Sequence, residues 1–287
     1  MTSPQAAAQR LPSAVTAALR CSVCASPVAC TGHALRCARG HSFDLARQGY
    51  VNLLHAKVAA GTADTAGMVA ARAEFLGAGH YAPLAEELAG LARDLAPHLV
   101  VDAGAGTGHY LARVLDACPG AQALALDVSA PALRRAARAH PGIGAVVWNL
   151  WEPWPVADGV ADVLLNVFAP RNPAEFHRVL RPGGAVLVAT PEPGHLGELA
   201  GALGLLAVDE DKRQRLDAAF ADGFTLVERR CRGGELTLSP DDARRAVLMG
   251  PNAHHLERDG LGERLAALAE PVRVTTSFAV SVYRRLP

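Results

Sequence analysis

Four side chains near the start of the chain have the types and spacing of a metal site. Cys21 and Cys24 are separated by two residues, twelve residues lie between Cys24 and Cys37, and His41 follows Cys37 after three more. A Cys-x2-Cys turn can direct both thiolates at one ion, and the arm between the pairs is long enough for a β-hairpin that brings the second pair to it. The pattern predicts a tetrahedral Cys3His zinc site, which is closed and therefore structural.

Cys30 and His33 lie between the two pairs and compete with them as ligands. A hairpin tip would carry Cys30 away from the metal, and His33 has no partner at a comparable spacing, so both are predicted to be bystanders. Gly40 lets the backbone bend beside the second pair. The alternative is two incidental pairs of surface cysteines, but clustered cysteines in a reducing compartment favour a metal over disulfides.

A second candidate site is the segment VVDAGAGTG, residues 100–108, which follows an apolar run and opens a helical one. Gly104, Gly106 and Gly108 allow a tight turn and a close approach to a ligand. A dinucleotide fingerprint requires a glycine three places after the second one, where this chain has His109. The pattern Asp-x-Gly-x-Gly-x-Gly instead resembles motif I of the class I S-adenosylmethionine (SAM)-dependent methyltransferases.

That resemblance implies roles for three polar residues at strand ends. Asp102 would organise the loop and the amino group of the cofactor. Asp127, nineteen residues after Gly108, would accept both ribose hydroxyls, and Asn149 would contact the adenine edge. The alternative for both aspartates is a helix cap or a turn. The stretch NVFAP (166–170) lacks the Pro-Pro pair of enzymes that methylate exocyclic amino groups, which disfavours that chemistry.

Strand and helix patterns alternate around this loop. The clearest helix covers Ala82 to Leu95 and ends before Pro97, residues 173–184 predict another helix with a glycine stop, and residues 59–67 predict a linker or loop. The alternation indicates a parallel sheet with helices on both faces. The predicted fold class is therefore α/β, a Rossmann-like class I methyltransferase with a mostly parallel seven-stranded sheet, preceded by a small zinc ribbon.

The predicted organisation has three parts. Residues 1–58 form an N-terminal arm and the zinc module, residues 59–80 a linker and helix, and residues 81–287 the methyltransferase domain. The chain has 28 basic and 28 acidic residues, so nucleic acid could be bound only through local patches. It has neither an apolar run long enough to span a membrane nor a secretory signal, so a cytoplasmic protein with no membrane partner is expected.

Further strings extend the resemblance over nearly the whole chain. FDLARQGYVNLL, FLGAGHYAPL, VFAP and ATPEPGHLGEL, together with the cysteine spacing, resemble the RlmA family of large-subunit ribosomal RNA guanine-N1 methyltransferases, including its branch that confers resistance to tylosin-like macrolides. The resemblance implies a homodimer whose zinc modules clamp a hairpin of 23S rRNA. The residues that it implies are Cys21, Cys24, Cys37 and His41 for zinc, and Tyr81, Gly106, Thr107 and His195 for SAM.

Guanine N1 carries a proton at neutral pH, so a group must accept it during methyl transfer. Asp162, Glu192 and His195 are candidates near strand ends, and the sequence does not choose between them, so the catalytic residue stays unassigned. Two other activities are alternatives: a small-molecule SAM methyltransferase of secondary metabolism, and a non-enzymatic zinc-ribbon adaptor that binds RNA.

Aromatic and basic side chains are candidates for RNA contact. Phe168, Trp151 and Trp154 could stack on a flipped base, although core packing is an alternative for each. The arginines that could touch phosphates form three groups: Arg171, Arg178 and Arg181; Arg229, Arg230 and Arg232; and Arg36, Arg39 and Arg47 in the zinc module.

Overall fold

The computed structural model describes residues 11–55, 63–205, 211–256 and 260–287. Its strands are β1 (Val28–Thr31), β2 (Ala34–Cys37), β3 (Ser42–Asp44), β4 (Tyr50–Asn52), β5 (Leu99–Ala103), β6 (Gln122–Asp127), β7 (Ile143–Val147), β8 (Ala161–Val167), β9 (Leu180–Pro191), β10 (Phe224–Leu238) and β11 (Val272–Arg285). Its helices are α1 (Ser13–Ala18), α2 (Ala66–Gly77), α3 (Ala82–Leu95), α4 (His109–Ala117), α5 (Ala130–Ala139), α6 (Pro173–Val179), α7 (Gly197–Leu203), α8 (Lys212–Phe220), α9 (Pro240–Leu248), a 3-10 turn (Pro251–His255) and α10 (Leu261–Ala266).

Two sheets organise the described residues. The large one has the order β10-β11-β9-β8-β5-β6-β7-β4, and the small one is the antiparallel sheet β1-β2-β3. From β9 to β4 all neighbours in the large sheet are parallel, whereas β11 is antiparallel to both β9 and β10. The predicted mostly parallel sheet with helices on both faces is therefore confirmed.

The large sheet has one strand more than the seven predicted. β4 comes from the end of the zinc module and pairs in parallel with β7, Tyr50 opposite Ala145 and Asn52 opposite Val147. The zinc module and the sheet thus share a hydrogen-bonded strand. The domain boundaries at residues 58 and 80 stay predictions.

The two faces of the sheet bury separate cores because successive side chains of a strand point to opposite sides. In β6, Ala123 and Ala125 pack with the apolar residues of α2 to α5, whereas Leu124 and Leu126 pack with those of α1, α6, α8 and the small sheet. The zinc ribbon therefore lies on one face of the sheet and contributes to that core.

The N-terminal arm is helical and packed where the structure describes it. Val15 in α1 is fully buried, and a Cβ on Gly144 of β7 would lie 2.7 Å from its Cγ1. Glycine at 144 lets the helix approach the strand closely. The predicted arm at residues 1–10 lies outside the described residues.

Two predicted boundaries are corrected. The helix from residue 173 ends at Val179 rather than at the glycines, because Leu180 already pairs with Ala161 in the β8–β9 ladder. The predicted loop at 59–67 is already helical at Ala66, and Thr65 caps this helix by accepting a hydrogen bond from Met68 N at 3.2 Å. Residues 59–62 lie outside the described residues. No helix in the described ranges is both long and apolar enough to cross a bilayer.

Candidate functional site

Each pair of the metal cluster is formed by a tight local turn. In the first, Cys21 N donates to Ser26 O and Ala25 N donates to Cys21 O, both at 2.8 Å. In the second, Gly40 N donates to Cys37 O at 3.0 Å, and Gly40 has a φ of 85°, as its predicted bending role requires. The hairpin β1–β2 joins the two turns, so the predicted arm is present.

The four predicted zinc ligands converge. Their ligating atoms all lie within 4.8 Å of one another, with Cys24 Sγ 3.7 Å from Cys37 Sγ, and His41 Nδ1 3.3 Å from Cys37 Sγ and 3.5 Å from Cys21 Sγ. Zn–S bonds of about 2.3 Å in a tetrahedron place sulfur atoms about 3.8 Å apart. The Ser26 hydroxyl, 3.4 Å from Cys24 Sγ, lowers the pKa of that thiol to about 6, which favours the ligating thiolate.

The two predicted bystanders lie outside this cluster. Cys30 is in β1, where its Sγ lies 3.6 Å from Thr16 Oγ1 of α1, and His33 is exposed in the turn between β1 and β2. Neither belongs to the metal-competent group found among the described residues. The geometry of the donor set fits a structural zinc ion held by three thiolates and one imidazole.

The glycine loop connects the carboxyl end of β5 to α4. Gly104, Gly106 and Gly108 have φ values of 88°, 54° and 76°, in the left-handed region that favours glycine. A Cβ on Gly104 would lie 2.3 Å from Ala169 Cβ, and one on Gly108 would lie 2.9 Å from Ala136 Cα. The loop is therefore pressed against its neighbours and depends on glycine at both positions.

Asp127 lies beside the loop at the carboxyl end of β6. Its Oδ2 accepts a hydrogen bond from Gly106 N, and its Oδ1 accepts one from Ser129 N, both at 2.8 Å. Burial raises the pKa of this carboxyl group. Each oxygen of a carboxylate can accept more than one hydrogen bond, so Asp127 keeps capacity for two ribose hydroxyls while it fixes the loop.

Asp102 precedes the loop and is buried without a partner. Its Oδ1 has no hydrogen bond with the described residues, and burial, with a smaller effect of the Asp127 charge, raises the pKa of this carboxyl to about 8. An unpaired buried carboxyl is costly, and a bound cation would relieve that cost. The orphaned oxygen and the glycine cradle together fit a ligand that carries an ammonium group, as SAM does.

Tyr81 and His195 are far apart in sequence but form one hydrogen-bonded pair. Tyr81 Oη lies 3.0 Å from His195 Nε2, and His195 Nδ1 accepts a hydrogen bond from Ser277 N at 3.1 Å. The neutral ring therefore carries its proton on Nε2 and donates it to Tyr81, which leaves the tyrosine proton for another acceptor. Burial lowers the pKa of His195 to about 4.

Aromatic residues that were not predicted surround Tyr81. Its ring centroid lies 4.8 Å from that of Phe278 and 5.0 Å from that of Phe75, and Tyr110 borders the same cluster through Phe168. Tyr110 stands in the first turn of the helix that the glycine loop opens, so its position in sequence could have indicated it. Phe278 comes from β11 and carries no local signal.

Phe168 has the backbone geometry of a functional position. It follows β8 with a φ of 54°, which is unusual for a bulky residue, and its side chain is 41% exposed. Trp151 is 66% exposed, and its backbone N–H donates to Asn149 Oδ1 at 3.1 Å. For Trp154 the structure selects core packing, the alternative to base stacking, because its side chain is buried and its Nε1 donates to the carbonyl of Leu150.

Thr107 and Asn149 keep the positions that the sequence predicted. Thr107 is buried in the glycine loop, and Asn149 follows the carboxyl end of β7, the strand next to β6. The Oδ1 atom of Asn149 is engaged with the backbone of its own turn. Its contact with adenine stays a prediction.

Of the three candidate proton acceptors, two are placed unfavourably. Asp162 lies at the amino end of β8, where it accepts hydrogen bonds from the backbone N–H groups of His98 and Leu99 and pairs with Arg181. This is the edge of the sheet opposite to the glycine loop, so the prediction for Asp162 is wrong. His195 has both nitrogens engaged. Glu192 lies at the carboxyl end of β9, where it pairs with Arg213.

Most of the candidate RNA-binding arginines are held by carboxylates. Arg178 donates to Asp158, Glu175 and two backbone carbonyls, so its guanidinium stabilises the segment after β7. The other arginines with carboxylate partners are Arg181 on Asp162, Arg229 on Asp217, and Arg230 and Arg232 on Glu87. Arg171 is partly buried, and its Nε has no partner among the described residues. Arg36, Arg39 and Arg47 are exposed and form no ion pair within the described ranges.

The sheet order, the glycine loop with Asp127 and the Cys3His cluster define the class: a class I SAM-dependent methyltransferase that carries an N-terminal zinc ribbon. Comparison with known proteins agrees, since a family described as "RlmA, N-terminal" matches residues 19–58 and one described as "Methyltransferase domain" matches residues 100–184. The chain belongs to the RlmA family of 23S rRNA guanine-N1 methyltransferases, because it resembles members of that family over nearly its whole length.

Three relatives carry that conclusion. The 23S rRNA (guanine(748)-N(1))-methyltransferase of Streptomyces fradiae is 50% identical over 275 residues, which cover 94% of this chain and 97% of the relative. A Micromonospora griseorubida protein assigned to the 23S rRNA guanine-N1 methyltransferases is also 50% identical, over 93% of this chain and 97% of its own. The protein YxjB of Bacillus subtilis, assigned to the same class, is 32% identical over 72% of this chain and 74% of its own.

Proposed function

We propose that this protein transfers a methyl group from SAM to N1 of a guanine in a hairpin loop of 23S rRNA, at the position equivalent to the guanine 748 named for the Streptomyces fradiae relative. The observation that carries the proposal is the 50% identity over nearly the whole chain, which includes both the Cys3His cluster and the glycine loop. A methyltransferase fold alone would not specify the substrate.

The residues of the sheet edge bind and orient the cofactor, which supplies an electrophilic methyl group on a sulfonium. The main requirement for such a donor is positioning. Asp127 binds the ribose hydroxyls while Gly106 N fixes its carboxylate. Asp102 faces the ammonium group, and the Tyr81 hydroxyl, oriented by His195, donates to the cofactor.

Glu192 is the proton acceptor for guanine N1 in this proposal. Of the two candidates at the carboxyl edge of the sheet, His195 accepts a hydrogen bond from a backbone N–H through Nδ1, whereas the Glu192 carboxylate pairs with the exposed side chain of Arg213. Asp162 is at the opposite edge and accepts from two backbone N–H groups. Glu192→Gln should lower kcat much more than it raises KM for RNA, because the amide retains the shape but cannot accept the proton. An unchanged kcat would contradict this role.

The target base must leave its stack before it can reach the methyl group. Phe168 lies at the carboxyl end of β8 with two-fifths of its side chain exposed and contacts the Tyr81 cluster, so it is placed to stack on the flipped guanine. Trp151 offers a second exposed ring after β7. RNA-binding proteins hold unstacked bases on such aromatic faces.

A groove lies between the first cysteine turn of the zinc ribbon and the segment that follows β7. Its volume is about 570 Å³, and its walls include residues 20–25 of the first cysteine turn and residues 153–158. Trp148 lines it and is hydrogen-bonded through its backbone N–H to Asp127 O at 2.9 Å, so the groove adjoins the cofactor edge. We assign this groove to nucleotides that flank the target. Arg36, Arg39 and Arg47 do not line the groove, and we assign them, as exposed residues of the zinc module, to phosphates farther along the RNA.

The zinc ion has a structural role in this account. Four protein ligands close its coordination shell, so it offers no position to a substrate. A module of this size buries little core of its own, and the ion replaces part of that core. Zinc thereby keeps the first cysteine turn in place as one wall of the groove.

The broader biological context is also proposed. A homodimer could present two zinc ribbons to one RNA hairpin, and its presence can be measured by light scattering. Methylation of the target in the cytoplasm should protect ribosomes from tylosin-like macrolides. Expression in a susceptible bacterium should raise the inhibitory concentration of tylosin, and expression of Glu192→Gln should not.

The experiment that separates this function from its alternatives uses labelled SAM. The purified protein is incubated with unmodified 23S rRNA, and the RNA is digested to nucleosides. Label in 1-methylguanosine supports the proposal, whereas binding of SAM without any label in RNA favours a small-molecule methyltransferase. No binding of SAM favours the adaptor. Point variants are preferable to removal of the ribbon, because α1 and β4 are packed into the main sheet.

A further inference from the structure

A guanidinium that has no role in the proposed site borders the glycine loop. Arg72 projects from α2, and a Cβ on Gly106 would lie 3.3 Å from its Nη1 and 3.9 Å from its Cδ. The head of Arg72 therefore faces the side of the loop that glycine keeps free. Gly106 also donates its N–H to Asp127, so Arg72 lies beside the loop residue that holds this carboxylate.

The contacts of Arg72 hold it there without using all of its donors. Nη1 forms an ion pair with Asp64, and Nη2 donates to the carbonyl of Met249 after α9 at 2.6 Å. A guanidinium has five N–H groups, so several remain after these two contacts. Its side chain is 26% exposed, which means that a ligand in the loop could reach the head.

Asp64 links this arginine to Asp127, the carboxylate that is proposed to bind the ribose hydroxyls. The backbone carbonyl of Asp64 accepts a hydrogen bond from Ser129 Oγ at 2.9 Å, and Ser129 N donates to Asp127 Oδ1. The segment from Asp64 to Arg72 thus contacts the start of α5 at one end and Gly106 of the glycine loop at the other. A ligand bound beside Gly106 and Asp127 would lie against this segment.

The carboxyl groups around the loop favour a basic group at the point where a ligand carboxylate would bind. The methionine end of SAM carries a carboxylate as well as an ammonium group, and the protein supplies the carboxyl groups of Asp102, which is buried, and Asp127, which is half-buried. With Asp64, the pocket already holds three carboxyl groups, and a further carboxylate would be repelled by Asp127 and Asp64 unless a basic group offset it. We propose that Arg72 binds the methionine carboxylate of SAM through its free N–H groups and that Asp64 keeps the guanidinium in position. The inference rests on the proposed use of SAM.

The test compares two ligands that differ in the amino-acid end. S-adenosylhomocysteine has the carboxylate, whereas 5′-methylthioadenosine keeps the adenosine and the sulfur but lacks the whole amino acid. Binding of each is measured by calorimetry with the full-length protein and with Arg72→Gln. Loss of a charge-assisted hydrogen-bonded contact should weaken S-adenosylhomocysteine about 10- to 100-fold and change 5′-methylthioadenosine less than about 2-fold.

Arg245→Gln is the matched control. Arg245 lies on α9 and pairs with Glu74 of α2, the helix that carries Arg72, so it also joins these two helices but does not border the glycine loop. It should leave both affinities unchanged. Equal weakening of both ligands by Arg72→Gln would show that Arg72 only joins α2 to α9, and unchanged affinities would show no role; either result overturns the proposal.

Wild-type protein that binds S-adenosylhomocysteine but does not methylate RNA would refute the proposed function and leave the role of Arg72 standing. Failure of the wild-type protein to bind S-adenosylhomocysteine would overturn both.

Discussion

The close approach of Gly104 to Ala169 gives a prediction whose size follows from the coordinates. Gly104→Ala would place a Cβ 2.3 Å from Ala169 Cβ on a backbone with a φ of 88°. The left-handed backbone costs an L residue about 1–2 kcal/mol, and an added methyl group in a packed site costs about 1–3 kcal/mol. We expect Gly104→Ala to lower the free energy of unfolding by about 2–5 kcal/mol by these two effects.

A second substitution separates the two costs. Ala169→Gly removes the atom that clashes and, alone, should destabilise the protein by up to about 1 kcal/mol through chain entropy. In the double variant the steric cost disappears and the backbone cost remains. The two changes should therefore be coupled by about 1–3 kcal/mol in favour of the double variant, measured by urea unfolding in a double-mutant cycle. Additive effects would refute the packing argument.

The other predictions concern the metal, the pH dependence and the groove. Cys24→Ser should lose zinc by metal analysis and melt at a lower temperature, whereas Cys30→Ser should retain both properties, because Cys30 lies outside the cluster. The affinity for S-adenosylhomocysteine, measured by calorimetry, should rise from pH 6 to pH 8 and then level off. The reason is that the ammonium group of the ligand displaces the proton that Asp102 holds with a pKa of about 8. The Asp102→Asn variant should show no such rise. Val23→Glu, on the groove wall and 54% exposed, should weaken binding of a 23S rRNA hairpin about 10-fold, as one added repulsive charge against phosphates. Val227→Glu, 56% exposed on β10, is its control, and equal effects would argue against the groove.

Local patterns were sufficient where short-range chemistry decides the structure. The zinc cluster was predicted from spacing because each Cys or Cys-His pair is closed by a single turn. The helix from Ala82 to Leu95 has the predicted bounds because apolar periodicity and Pro97 define them together. The glycines of the loop were predicted because only they tolerate its backbone.

Long-range pairing explains what the sequence did not reveal. The three residues of β4 are too few to show a strand pattern, and their partner strand lies about ninety positions away. Asp162 was correctly predicted to lie at a strand end. No local pattern indicated that the backbone N–H groups of His98 and Leu99 would bind it at the amino edge of the sheet, away from the glycine loop. Arg72 reaches the loop from α2, which precedes β5 in the chain, and no local motif indicates that contact.

Primer extension on 23S rRNA after reaction with SAM tests the central claim most directly. A methyl group on N1 blocks Watson–Crick pairing, so reverse transcriptase should stop one nucleotide before the guanine equivalent to position 748, and only when both protein and SAM are present. A stop at an adenine, or full-length extension of RNA that has been treated with SAM-binding protein, would contradict the account.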